Sequence, residues 1–84
     1  MSDQDKQINI QYFAVLKEER GLSSETVQTS SKTVRELFNE LNKKYRFSLN
    51  TERLNVAVND EFQPWDANLK QGDTVVFIPP VAGG

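Results

Sequence analysis

Eighty-four residues carrying a net charge of −2 bound a single small domain with no electrostatic reason to bind nucleic acid or an anionic membrane. The chain contains no cysteine and no histidine, which removes disulfides, thiolate zinc sites, thiol nucleophiles and the usual general base. No apolar stretch has the length of a transmembrane helix, and the acidic start Met1-Ser2-Asp3-Gln4-Asp5 is unlike a signal peptide, so the expectation is a soluble, cytoplasmic protein.

Taken in order, residues 1–7 are polar and are expected to be a disordered extension. Ile8-Asn9-Ile10-Gln11-Tyr12-Phe13-Ala14-Val15 alternates apolar and polar and then turns apolar on both sides, the pattern of a strand moving to the centre of a sheet. Lys17-Glu18-Glu19-Arg20-Gly21 reads as a charged, solvated turn closing on glycine. Glu25 to Thr29 predicts a short second strand, the hairpin partner of the first.

The clearest element is a helix. Thr33 as N-cap with Glu36 three residues on forms a capping-box pattern. Val34, Leu37, Phe38, Leu41 and Tyr45 then lay down one apolar stripe. Glu40 and Lys44 are spaced for an ion pair on the opposite face. Lys43, Lys44 and Arg46 suit the negative end of the helix dipole, and so need no phosphate ligand to explain them.

Phe47 to Arg53 connects to a third strand at Leu54–Val58, with room for one helical turn. Asn59-Asp60-Glu61 is a tight turn in which asparagine tolerates positive φ. Phe62 begins a short return segment that Pro64 keeps from being a central strand. Trp65 and Leu69 fall in a loop, where a tryptophan is expected to close over the core. Gln71-Gly72-Asp73 turns into the last strand, Val75-Val76-Phe77-Ile78, which is β-branched and aromatic throughout.

One apolar helix stripe needs one sheet face to lie on. The first and last strands are the most apolar and belong side by side at its centre. The expected fold is α+β: a β-grasp, ubiquitin-like domain over 8–78, with a mixed sheet of four to five strands and one main helix on one face. By the period of two along a strand, Val75 and Phe77 face the core. Val76 and Ile78 then fall on the uncovered face, and with Phe62 they are expected to form an exposed partner-binding patch.

The tail over 79–84 is Pro79-Pro80-Val81-Ala82-Gly83-Gly84. Two prolines remove two backbone donors and end the ladder, and they favour an extended, unbonded form. Six extended residues reach roughly 20 Å from the domain. Gly83 and Gly84 leave the terminal carboxylate without a side chain beside it. A stiff spacer ending in a bare carboxylate is expected to be a working group.

These features resemble the small subunit of molybdopterin synthase, within the ubiquitin-like sulfur carriers. The likeness rests on Tyr12-Phe13-Ala14, Glu18-Glu19-x-Gly21, Thr33-Val34, Val56-Ala57-Val58-Asn59, Leu69-Lys70-x-Gly72-Asp73 and the terminal Pro-Pro-Val-x-Gly-Gly. It spans nearly the whole chain after residue 7, with Asp60 standing where the family often has glycine. The resemblance implies that an E1-like enzyme adenylates the Gly84 carboxylate with ATP and that a sulfur donor converts it to a thiocarboxylate. The large synthase subunit would then receive the tail, in a heterotetramer of two small and two large subunits, and the sulfur would pass to a cyclic pyranopterin precursor. No cofactor is implied for this chain itself, no nucleic acid and no membrane.

The residues add one independent point: without cysteine, sulfur has no side chain to travel on, and the terminal carboxyl group is the one plausible carrier. Sulfur carriers of other pathways and ubiquitin-related modifiers share the β-grasp and Gly-Gly but generally not the Pro-Pro-Val spacer; they are the alternative readings, with an interaction module whose tail is inert.

Overall fold

The computed structural model describes residues 5–80. Its elements run β1 (Lys6–Tyr12), α1 (Ala14–Arg20), β2 (Ser24–Thr29), α2 (Val34–Tyr45), a 3-10 turn (Thr51–Arg53), β3 (Asn55–Val58), β4 (Glu61–Phe62) and β5 (Thr74–Ile78). The five strands form one sheet in the order β2-β1-β5-β3-β4. The central pair β1 and β5 is parallel, and the other pairings are antiparallel. This is the β-grasp arrangement, with the most apolar strands at the centre as their composition requires.

The core lies between one sheet face and α2. Ile8, Ile10 and Tyr12 of β1, Val56 and Val58 of β3, and Val75 and Phe77 of β5 meet Val34, Leu37, Phe38 and Leu41 of the helix. Thr33 Oγ1 accepts from the Glu36 amide at 3.2 Å, as an N-cap should. The return bond differs from the expected box: Glu36 Oε1 accepts from the Lys32 amide, not that of Thr33. Glu40 also departs from expectation. Its Oε1 accepts from the hydroxyls of Thr29 at 2.6 Å and Ser31 at 3.0 Å, tying α2 to the end of β2 rather than to Lys44.

Three sequence readings are corrected at the start of the chain. The first strand begins at Lys6, inside the stretch expected to be disordered, because Lys6 and Gln7 pair with Thr29 and Gln28. It ends at Tyr12 instead of Val15. The segment expected to be a charged turn is the helix α1, closed by Gly21 at φ 82°, whose amide donates to the Lys17 carbonyl. Its sequence is rich in good helix formers, it buries Leu16, and a glycine just past a basic last turn is a helix stop. The solvated charges masked that signal. Residues 1–4 and 81–84 lie outside the described part of the chain.

Candidate functional site

Helix α2 covers only one face of the sheet, so alternate residues of the central strands remain on the other. Register places four of them in a single lateral row. Gln11 pairs with Val76, Val76 with Ala57, and Ala57 with Phe62. Ile78 follows Val76 on the same face of β5, two residues along. Val75 and Phe77 are wholly buried, while Val76 and Ile78 are half-buried and Phe62 is 73 % exposed. The expected division of the last strand therefore holds at each of its four positions.

The row is not flat. Gln11, Phe13, Ala57, Asp60, Phe62, Val76 and Ile78 line a shallow depression of about 310 Å³. Four of these, Gln11, Phe13, Ala57 and Asp60, were not assigned to the patch from the sequence. Phe13 is 50 % exposed and stands beside β1 at the rim. Its signal was present: Tyr12 points into the core, so the next residue of an extended chain points out. Asp60 contributes a carboxylate at the opposite edge and has φ 72°, next to Asn59 at φ 53°. The depression is mostly apolar with one acid on its border.

Behind this face, Phe77 is held among rings. Phe38 meets it edge-on at 5.2 Å, and Trp65 stacks on it at 6.0 Å with planes 9° apart. Trp65 also meets Phe38 edge-on at 5.6 Å. The tryptophan of the 64–69 loop thus closes over the core as its sequence position suggested. Such ring pairs add to burial about 0.5–1.5 kcal/mol each.

The entry to β5 is fixed by polar contacts. Asp73 is buried, and its carboxylate accepts from the Lys70 amide at 2.8 Å and from Asn59 Nδ2 at 2.9 Å. Asn59 Oδ1 in turn accepts from the Thr74 amide at 3.0 Å. Gly72 adopts φ 86° and donates its amide to the Gln7 carbonyl at 2.8 Å. Asn59 and the Lys70-x-Gly72-Asp73 turn are therefore one unit that sets where β5 starts.

At the far end, β5 stops where its prolines begin. Phe77 pairs with Tyr12, the last residue of β1, and Ile78 pairs only with Asn55 on β3. Pro79 is half-buried and Pro80 exposed. The chain thus leaves the sheet directly beside Ile78 and the apolar depression. Of the tail positions singled out in the sequence, Val81, Ala82, Gly83 and Gly84 lie outside the described residues.

One charged cluster lies on the core side of the sheet. Glu25 of β2 accepts from the Tyr12 hydroxyl at 2.7 Å and from Arg20 Nε and Nη2 at 2.8 Å each. The Arg20 guanidinium lies 4.0 Å from the centre of the Tyr45 ring. The Arg20 hydrogen bonds hold the Glu25 carboxyl below its ordinary range, opposed by partial burial and assisted by the Tyr12 hydroxyl. Burial, then the Glu25 carboxylate, pushes the Tyr12 phenol up. These groups are neutralised by one another and are not presented to solvent as an acid or base.

Comparison with known proteins agrees with this geometry. A curated molybdopterin synthase sulfur carrier subunit from Mycobacterium tuberculosis is 36 % identical over 80 residues, covering 92 % of this chain and 96 % of that one. The subunit of the same name from Haemophilus influenzae is 30 % identical, with 92 % and 99 % covered. Among solved structures, a complex of subunits 1 and 2 of the molybdopterin-converting factor from Helicobacter pylori contains a chain 25 % identical, at a TM-score of 0.63, covering 93 % of this chain and 99 % of that one. SAMP1 from Haloferax volcanii shares the fold at a TM-score of 0.77 and 23 % identity, with 93 % and 99 % covered. The sequence model of the ThiS family matches residues 10–84, and the chain belongs to the ThiS family.

Proposed function

We propose that this chain is the sulfur carrier subunit of a molybdopterin synthase, and that its working group is the Gly84 carboxylate. The observation that carries the reading is a juxtaposition. A proline-stiffened tail leaves the central strand next to an apolar, uncovered sheet face, so one partner can hold the domain and receive the tail together. The two curated relatives carry this name over nearly their whole length. The Helicobacter pylori complex supports a second subunit as the partner.

A carboxylate resists attack by sulfur until it is activated. ATP supplied at an E1-like enzyme would give an acyl adenylate with release of pyrophosphate, and a sulfur nucleophile would then displace AMP. The chain has no Gly-x-x-x-x-Gly-Lys phosphate loop to do this itself, and the nucleotide would be bound by the partner. Gly83 and Gly84 keep the reacting carbon unhindered in two different enzymes. Pro79 and Pro80 reduce the entropy lost when the tail, with Val81 and Ala82, is threaded into a pocket. The large subunit would dock on Phe62, Val76 and Ile78, in a heterotetramer of two small and two large subunits acting in the cytoplasm. The thiocarboxylate sulfur would pass there to a cyclic pyranopterin precursor.

Mass spectrometry of the protein purified from its native host tests this. A mass gain equal to exchanging one oxygen for sulfur at Gly84 is the expected result. A branched lysine peptide would instead show a modifier, and an unmodified terminus with the activating enzyme present would show an inert tail.

A further inference from the structure

Phe13 stands at a strained corner. It is the N-cap of α1, extended at φ −129°, and the next residue, Ala14, has φ 53°. A residue with a Cβ holds the left-handed region only at a cost and where its surroundings impose it. The helix beyond the corner is seven residues long, too short to persist without tertiary anchors. Something must hold it, or the corner relaxes and Phe13 leaves the rim of the depression.

One carboxylate ties both ends of the segment. Tyr12 ends β1 and Arg20 ends α1. Both donate to Glu25, the phenol to Oε2 and the guanidinium to both oxygens. Glu25 therefore ties together the two ends of the segment that contains the Phe13–Ala14 corner. Glu25 and Arg20 side chains are largely withdrawn from solvent, at 14 % and 20 % exposure, so the fork is less weakened by water than a surface pair. The guanidinium also lies over the Tyr45 ring of α2, 4.0 Å from its centre. Leu16 is wholly buried and Glu19 accepts from the Ser48 amide at 3.0 Å, which fixes the helix along its length.

We infer that Glu25, with Arg20, is a positioning residue for the docking face: by closing the 12–20 segment it holds Phe13 in place at the rim of the partner-binding depression on the opposite side of the sheet. The inference rests on the docking reading above and adds a residue that touches no partner. If the clamp opens, only the fraction of molecules with Phe13 in place binds well, and the apparent dissociation constant rises by the inverse of that fraction.

The test is a double-mutant cycle on binding of the full-length chain to the synthase large subunit of the source organism, read by calorimetry. Phe13→Ala and Glu25→Ala are each expected to weaken binding about tenfold, the scale of a partner anchor. The double variant is expected to bind no worse than Phe13→Ala alone, because Glu25 acts through a ring that is then absent. A merely structural role would make the two factors multiply. Multiplying factors, or native binding by Glu25→Ala, overturn the inference. If Glu25→Ala is unfolded at the assay temperature, Arg20→Gln replaces it in the same cycle, cutting the fork while leaving the Tyr12 bond. Ile78→Lys is measured alongside. If it binds like the native chain, the docking reading itself falls; if it fails to bind while the Phe13 and Glu25 factors multiply, only the clamp falls.

Discussion

Asn59 and Asp73 are joined side chain to side chain, Nδ2 to Oδ1 at 2.9 Å, across the gap between the β3–β4 turn and the start of β5. Asn59 also exchanges bonds with Thr74, its amide donating to the Thr74 carbonyl at 2.9 Å and its Oδ1 accepting from the Thr74 amide. One asparagine in a turn thus sets the register of the strand that carries the tail. It can do so because it occupies φ 53°, a region asparagine tolerates better than most residues.

The residue after it is less well suited. Asp60 sits at φ 72° with a Cβ, in a turn of the type that favours Asn-Gly. Asp60→Gly is expected to stabilise the domain by about 0.5–1 kcal/mol, read as a raised urea midpoint with unchanged slope. Destabilisation would mean that the Asp60 carboxylate makes a contact worth more than the backbone strain.

The apolar depression offers the second test. Ile78→Lys places a charge where Val76, Phe62 and Phe13 meet, at a half-buried position that leaves the core untouched. Large-subunit binding should fall at least tenfold, whereas urea unfolding should move by no more than about 1 kcal/mol. Equal binding by the native and substituted chains would move the interface to another face.

A third test separates fold from chemistry at the terminus. One alanine appended after Gly84 should leave unfolding within about 0.5 kcal/mol, as additions at a chain end do. Sulfur loading should nonetheless stop, because displacement of a reacting carbon by even an ångström can cost about a hundredfold. Gly84→Ala should be milder, since it keeps the length and adds only bulk. Thiocarboxylate formation is read by mass after incubation with ATP and the activating enzyme. Charging of the extended chain at the native rate, without trimming back to Gly84, counts against the carboxylate as the working group.

The Glu25 cluster makes stability depend on acid. Its carboxyl is lower in the folded chain than in the unfolded one, chiefly because Arg20 donates to the charged form. The unfolded state therefore binds the proton first as pH falls, and the contribution is present above the unfolded carboxylate range of about 4.3–4.5. It is lost as pH drops through that range towards the folded value. Glu25→Gln should flatten this part of the stability profile, measured by urea unfolding between pH 6 and about 3. A profile of unchanged steepness would assign the acid sensitivity to other carboxylates.

Much of this was legible in the sequence because it follows from local chemistry. The stripe from Val34 to Tyr45 has one period and one capping residue, so α2 could hardly be placed elsewhere. The β-branched run Val75 to Ile78 ending in two prolines determines both a central strand and its stopping point. A period of two then divides Val75 and Phe77 from Val76 and Ile78 before any neighbour is known. The absence of cysteine leaves a sulfur carrier nothing but its carboxyl end.

Other features depend on residues far apart in the chain, and only the tertiary structure decided them. α1 reads as a solvated charge run because the partners of Arg20, which are Glu25 of β2 and Tyr45 of α2, belong to two other elements. Glu40 is spaced for Lys44, yet it turns to Thr29 and Ser31, because two hydroxyls at the end of β2 arrive beside it once the sheet forms. Phe13 joins Phe62 and Val76 only when β1, β5, β3 and β4 lie in register across the open face. Period and capping act within a few residues and survive in a one-dimensional reading. A salt bridge or a docking surface is made by strand order and register, which exist only after the sheet has closed.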